Sequence, residues 1–174
     1  MVRFQRQPPG TAITRALLLL GAALAPVAAA SIVGGETARG GWVAALSAVL
    51  LLVGGHRANH GAGGPVDRAV TEFADRLWDG AILGAVVWTA GETAVGMGAL
   101  VALCASFISS YVRAKGASLG YSVEESHITR GIRYALVSLG LMTGALGLAV
   151  WSAAALSVLA ALVRTSQVAR EERA

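Results

Sequence analysis

A chain of 174 residues that is 55% hydrophobic and only 14% charged carries a formal net charge of +4. Soluble domains hold about 25% charged residues, so this mix excludes an ordinary soluble enzyme and points to the bilayer as solvent. The positive charge calls for no nucleic acid, because a basic surface facing anionic lipid accounts for it.

Several apolar stretches reach or approach the ~20 residues that cross ~30 Å of hydrocarbon. In lipid only helices and closed barrels satisfy every backbone group, and no alternating pattern of period two is present. The expectation is an all-α integral membrane protein, a single domain of six transmembrane helices with both termini cytoplasmic.

The first span covers 13–33. Arg3, Arg6 and Arg15 precede or open it and Ala28, Ala29 and Ala30 follow, as in a cleaved leader, but the apolar sequence continues beyond it and a retained helix is expected. A polar turn from Gly34 to Gly41 leads to a short second span, 42–55. A glycine-rich cytoplasmic loop, 56–67, contains Pro65, a good first residue for a helix. The third span, 68–90, is polar in its first turns and apolar from Ile82 to Trp88. The fourth, 94–113, contains Cys104, the one cysteine, which reads as a small core residue and has no intramolecular partner.

A second cytoplasmic loop, 114–129, precedes an apolar tract from Tyr134 to Val163. At about thirty residues this tract is too long for one ordinary span. Gly140, Gly144 and Gly147 predict a reversal that divides it into spans 130–144 and 147–164, a single tilted helix being the alternative. Basic residues favour the reversal, since cytoplasmic loops collect Lys and Arg. With six spans, all of the 14 basic residues except Arg39 fall on the inner side, which places the protein in the cytoplasmic membrane with its site facing the cytoplasm.

Ionisable residues at membrane depth are costly and point to function. Asp67, Thr71, Asp75 and Asp79 are spaced by four and share one face of the third helix, with Glu72 and Arg76 alongside. Carboxylates so clustered need a cation or arginine to neutralise them, and hard oxygen donors suit Mg²⁺ or Ca²⁺. A solvated first turn explains Asp67 equally well. The second cluster is Arg113 and Lys115 ending the fourth span, Arg130 and Arg133 opening the fifth, and Arg164 ending the sixth. Three helix ends thus bring fixed cations to one depth, and the guanidinium fork matches phosphate oxygens. His56 and His60 lie four apart near by, and two nitrogen donors alone make an incomplete metal site.

These residues resemble a known family. The run Ser110-Tyr-Val-Arg-Ala-Lys115, followed by His127-Ile-Thr-Arg-Gly-Ile-Arg133, and the segment Ala74-Asp-Arg-Leu-Trp-Asp-Gly80, are similar to the CDP-alcohol phosphatidyltransferases, most closely their phosphatidylinositol-phosphate synthase branch. The resemblance covers about residues 65 to 168. It implies transfer of a phosphatidyl group from CDP-diacylglycerol to a polyol phosphate such as inositol phosphate, with release of CMP. It also implies Mg²⁺ or Mn²⁺ as cofactor, and a homodimer or a heterodimer with an intact paralogue. By resemblance Asp75 is the catalytic base, and Arg113, Lys115, Arg130, Arg133 and Arg164 hold the acceptor phosphate.

The family signature, D-x2-D-G-x2-A-R-x8-G-x3-D-x3-D, is only partly present. Asp75 falls on its last aspartate, Thr71 on the one before, and Asp67 on the spaced glycine. Without a gap the first two aspartates fall on Leu50 and Val53. Asp75, Asp79, Asp67 and Glu72 remain as the metal ligands expected here. A catalytically degenerate relative, acting as a membrane binding or partner subunit, is the alternative. A small transporter is disfavoured because no polar path crosses the outer half, and Gly80-x3-Gly84 and Gly140-x3-Gly144 suggest close helix packing in any case.

Overall fold

In the computed structural model, which describes residues 10–121 and 127–171, the chain forms six α-helices and no strand among the described residues. They are α1 (Thr11–Val33), α2 (Thr37–Arg57), α3 (Pro65–Ala90), α4 (Ala94–Ser118), α5 (His127–Thr143) and α6 (Leu146–Glu171). Arg3, Arg6 and Arg173 lie outside the described residues.

Four helices are long and apolar enough to cross a membrane: Thr11–Val33, Thr37–Gly61, Ala94–Ser118 and Leu146–Glu171. The other two differ for physical reasons. Helix α5 is 17 residues long, and α3 carries Asp75, Arg76 and Asp79 within its length.

Local signals explain the boundaries. Gly35, at φ +85, turns α1 into α2. Helix α2 starts at Thr37, ahead of the expected 42, and continues through Arg57 into one π-type turn, Ala58–Ala62, so the expected 56–67 loop is largely helical. That turn stops where Gly61 takes φ +95. Pro65 then opens α3, whose N-cap Gly64 donates its amide to Asp67 Oδ2 at 2.7 Å, as expected of an acid in a first turn. Thr93 caps α4 by accepting from the Gly96 amide. Helix α4 runs to Ser118 and α6 to Glu171, both past their expected ends. The long apolar tract is two helices, reversed at Gly144 with φ +79.

The helices pack in a closed ring, α1 on α2, α2 on α5, α5 on α6, α6 on α4, α4 on α3 and α3 on α1. The core is built on α3, where Trp78, Ile82, Leu83 and Val86 are fully buried together with Leu18, Ile32, Leu51 and Val137. Glycine permits the closest approach of α2 to α5, since a Cβ on Gly41 would stand 2.9 Å from the Met142 amide nitrogen. Two expectations are corrected. Gly80 and Gly84 meet nothing within 4 Å, so that pair makes no close helix contact, whereas Gly140 lies against Ala149 across the α5–α6 hairpin. Cys104 is exposed rather than buried, because a small apolar residue is as well accommodated on a lipid-facing helix surface as in a core.

Candidate functional site

One end of the ring encloses a cavity of about 290 Å³ between α3, α4, α5 and α6. Arg76, Arg113, Arg130, Arg133 and Arg164 line it, together with Glu72 and Asp75. Helical spacing causes the convergence. Glu72, Asp75, Arg76 and Asp79 occupy one stripe of α3, Arg130 and Arg133 sit a turn apart on α5, and Arg113 and Arg164 stand before the ends of α4 and α6, which continue to Ser118 and Glu171.

The acids of α3 are each taken by a fixed donor. Arg133 grips Asp79 with two nitrogens, Nε to Oδ1 at 3.1 Å and Nη2 to Oδ2 at 2.8 Å. Arg76 Nη1 lies 3.0 Å from the same Oδ2, and Ser106 Oγ donates to it at 2.9 Å. Asp75 receives Arg130 Nη1 on Oδ2 at 2.7 Å and the Tyr134 hydroxyl on Oδ1 at 2.8 Å. Arg113 pairs with Glu72 at 2.9 Å. Arg164 Nη1 donates to the Ser109 carbonyl at 3.3 Å and to Ser109 Oγ at 2.7 Å. Beneath the cavity Tyr134 packs on Trp78 with ring centres 4.1 Å apart, and Trp78 Nε1 donates to the Ala44 carbonyl.

Asp67 stands apart from this group, at the start of α3. Arg15 of α1 donates to its Oδ1 at 2.6 Å. Burial alone would raise this carboxyl, but the Gly64 amide and the Arg15 guanidinium outweigh it and hold Asp67 below the ordinary carboxylate range.

The structure therefore sorts the expected site residues. Asp75, Glu72, Arg113, Arg130, Arg133 and Arg164 meet in one cavity, with Asp79 buried behind Arg133. Lys115 is exposed and does not line it. Five arginines face three carboxylates there, Glu72, Asp75 and Asp79, a formal excess of two positive charges that suits a phosphate.

The four acids expected to hold a divalent cation do not fit one. Among the described residues no three of His, Cys, Asp or Glu gather into a metal-binding group. Each of these carboxylates already has an arginine partner, Asp67 with Arg15, Glu72 with Arg113, Asp75 with Arg130 and Asp79 with Arg133. Val53 is 46% exposed on the outer face of α2, and the residue facing Thr71 is Gly55, where a Cβ would lie 2.8 Å from Thr71 Cγ2. Val53, one of the two positions on which the gapless register places the first signature aspartates, is thus turned away from the site. His56 and His60 stack on one another at 4.1 Å, exposed at the end of α2.

Sequence reasoning missed Tyr134, Ser106, Ser109 and Arg15. Tyr134 looked like the first residue of an apolar span. The serines at 106, 109 and 110 carry a visible signal, a polar stripe at helical spacing in an otherwise apolar helix.

No family model matches the chain. Among curated proteins, the phosphatidylinositol phosphate synthase of Corynebacterium glutamicum is 34% identical over 110 residues, which is 56% of this chain and 50% of that protein. The chain thus spans about half the length of the curated relative it matches. Among solved structures, the Mycobacterium tuberculosis phosphatidylinositol phosphate synthase with CDP-DAG bound superposes with a TM-score of 0.75 at 21% identity, over 89% of this chain and 85% of that one. The same protein in complex with manganese and citrate gives 0.75 at 22% identity, over 91% and 88%. Such identities speak for the fold, and the sequence match speaks for descent. Over the matched 110 residues the chain is a homologue of phosphatidylinositol phosphate synthase, and it has the fold of that protein.

Proposed function

We propose that this chain is a membrane protein of phospholipid metabolism that binds a polyol phosphate in its arginine cavity without running metal-dependent phosphatidyl transfer. The observation that carries this reading is the occupation of Asp75 and Asp79 by protein donors, Asp75 by Arg130 and Tyr134 and Asp79 by Arg133, Arg76 and Ser106. Substitution at phosphorus needs charge compensation on the pyrophosphate and a base for the acceptor hydroxyl. The residues supply the anion pocket and leave no open carboxylate cluster.

Recognition needs less. Arg113 and Arg164 both line the cavity, and the Glu72 partner of Arg113 is 48% exposed, so a phosphate displaces a weakly held carboxylate. The site faces the cytoplasm, and the protein acts as a homodimer or beside an intact synthase.

One observation favours a second reading. Asp75 does line the cavity, the position required of a base in a transferase of CDP-diacylglycerol and a polyol phosphate. A single assay separates the two. Purified protein in nanodiscs receives CDP-diacylglycerol and inositol phosphate with and without Mg²⁺ or Mn²⁺, and CMP release and acceptor binding are both measured. The expected outcome is acceptor binding that weakens about tenfold on Arg113→Gln or Arg164→Gln, with no CMP above background. Metal-dependent CMP release that disappears in Asp75→Asn would establish the transferase instead.

A further inference from the structure

Helix α6 presents Ser157, Ala160 and Arg164 to the arginine cavity, the spacing of one helical face. Ser157 is 1% exposed, and its Oγ has no hydrogen-bond partner among the described residues. Hydroxyls elsewhere in these helices turn back on the carbonyl of the preceding turn, as Ser31 does on Val27 and Thr71 on Asp67. Two serines of α4 that line the same cavity are also committed. Ser106 donates to Asp79 Oδ2 at 2.9 Å, and Ser109 Oγ accepts from Arg164 at 2.7 Å. Among the described residues lining the cavity, Ser157 therefore carries the one buried side-chain polar atom without a partner.

Buried polar atoms are normally satisfied, and one left unmatched destabilises the fold. The walls around Ser157 are rich in donors and poor in acceptors. Guanidinium groups only donate, and the carboxylates of Glu72 and Asp75 are paired with Arg113 and Arg130. A phosphate ester dianion only accepts, so arginines alone can meet it. A hydroxyl on the ligand must also give its proton to an acceptor, which a guanidinium cannot be. Serine Oγ accepts as well as donates. At about 290 Å³ the cavity is roughly ten times the ~30 Å³ share of one water molecule, so it has room for more than a phosphate group. Along α6, Ser157 stands two turns from Arg164, about 10 Å, which separates the hydroxyl's backbone position from that of the cation.

Resting on the reading that the arginine cavity holds a polyol phosphate, we infer that Ser157 is the residue that recognises the polyol half. Its Oγ accepts from a ligand hydroxyl while the arginines hold the phosphate. The site thereby selects a hydroxyl-bearing phosphate ester over one that has only the phosphate. Without ligand the same hydroxyl weakens the fold, so binding and stability are opposed at this residue.

The test uses the full chain in phosphatidylcholine nanodiscs with two probes, inositol phosphate and methyl phosphate, whose organic part has no hydroxyl. Ser157→Ala should weaken inositol phosphate binding about tenfold, the effect of one buried hydrogen bond, and leave methyl phosphate binding unchanged. Ser138→Ala is the control, because Ser138 Oγ is also buried and unpartnered, at 2% exposure, but does not line the cavity. Both variants should raise the unfolding temperature without ligand, and only Ser157→Ala should change the ratio of the two affinities. Equal weakening of both probes would place Ser157 on the phosphate, and unchanged affinities would leave it structural. Either result overturns the assignment while polyol-phosphate recognition stands. A lower unfolding temperature for Ser157→Ala would show the hydroxyl already partnered and overturn it as well. If the unaltered chain binds neither probe, polyol-phosphate recognition itself falls, and this assignment with it.

Discussion

The ion pair between Arg133 and Asp79 is the most buried charge pair in the site, at 7% and 0% side-chain exposure. Two charges taken out of water repay their desolvation only with close geometry, and removing one partner strands the other. Arg133→Met should therefore destabilise the protein by about 3–5 kcal/mol. The double variant Arg133→Met with Asp79→Leu should recover most of that loss, read by thermal unfolding in detergent. A double variant no better than the single would show that the pair is not the dominant partner of Asp79. The same reasoning bears on metal. Because guanidinium groups already neutralise Asp75 and Asp79, chelation by EDTA should change neither the melting temperature nor inositol phosphate binding. A melting temperature that rises with Mn²⁺ would refute this. Asp67 adds a pH dependence. Its folded carboxyl sits below the ordinary value of 3.8, so its stabilisation is present above that pH and is lost as pH falls through the folded value. Asp67→Asn should cost about 1 kcal/mol near pH 6, the worth of a helix-start hydrogen bond, and progressively less as pH falls through the folded value.

At the scale of elements, the helices were legible because hydropathy and glycine placement act locally. Gly144 takes the positive φ that the reversal of the Tyr134–Val163 tract requires, and Pro65 opens α3 as its ring geometry favours. What misled was inferring contact from spacing. Gly80 and Gly84 share the small-residue spacing of packed helices, yet an added Cβ meets nothing at either, whereas Gly41, in no recognised motif, abuts the α5 backbone. Spacing fixes which residues share a face and says nothing about which helix that face meets. Gly41→Ala should destabilise by about 1–3 kcal/mol through overpacking. Gly80→Ala should be neutral or stabilising by about 0.5–1 kcal/mol, since Ala is the better helix former. Equal melting temperatures for the two variants would contradict the α2–α5 contact.

At the scale of the molecule, the arginine cavity was legible as a set of helix ends and its occupancy was not. Sequence placed Arg113, Arg130 and Arg164 at one depth, but the pairing of Asp75 with Tyr134 and of Asp79 with Ser106 depends on how α3 is rotated against α4 and α5. The ring of six helices also bears on orientation. Among the described residues four helices qualify as spans by length and composition, yet α3 and α5 are integral to the ring, and the buried charges of α3 face protein rather than lipid. A charged face turned inward lets a helix cross a bilayer that its mean hydropathy alone would not permit. If α3 crosses fully, His60 and Ser118 lie on one side and Glu36 and Glu92 on the other, all four being exposed ends of helices. In a Cys104→Ser background, a membrane-impermeant maleimide should reach cysteines at positions 60 and 118 only from the cytoplasmic side, and at 36 and 92 only from outside. Reaction of positions 60 and 92 from the same side would mean that α3 re-enters rather than spans.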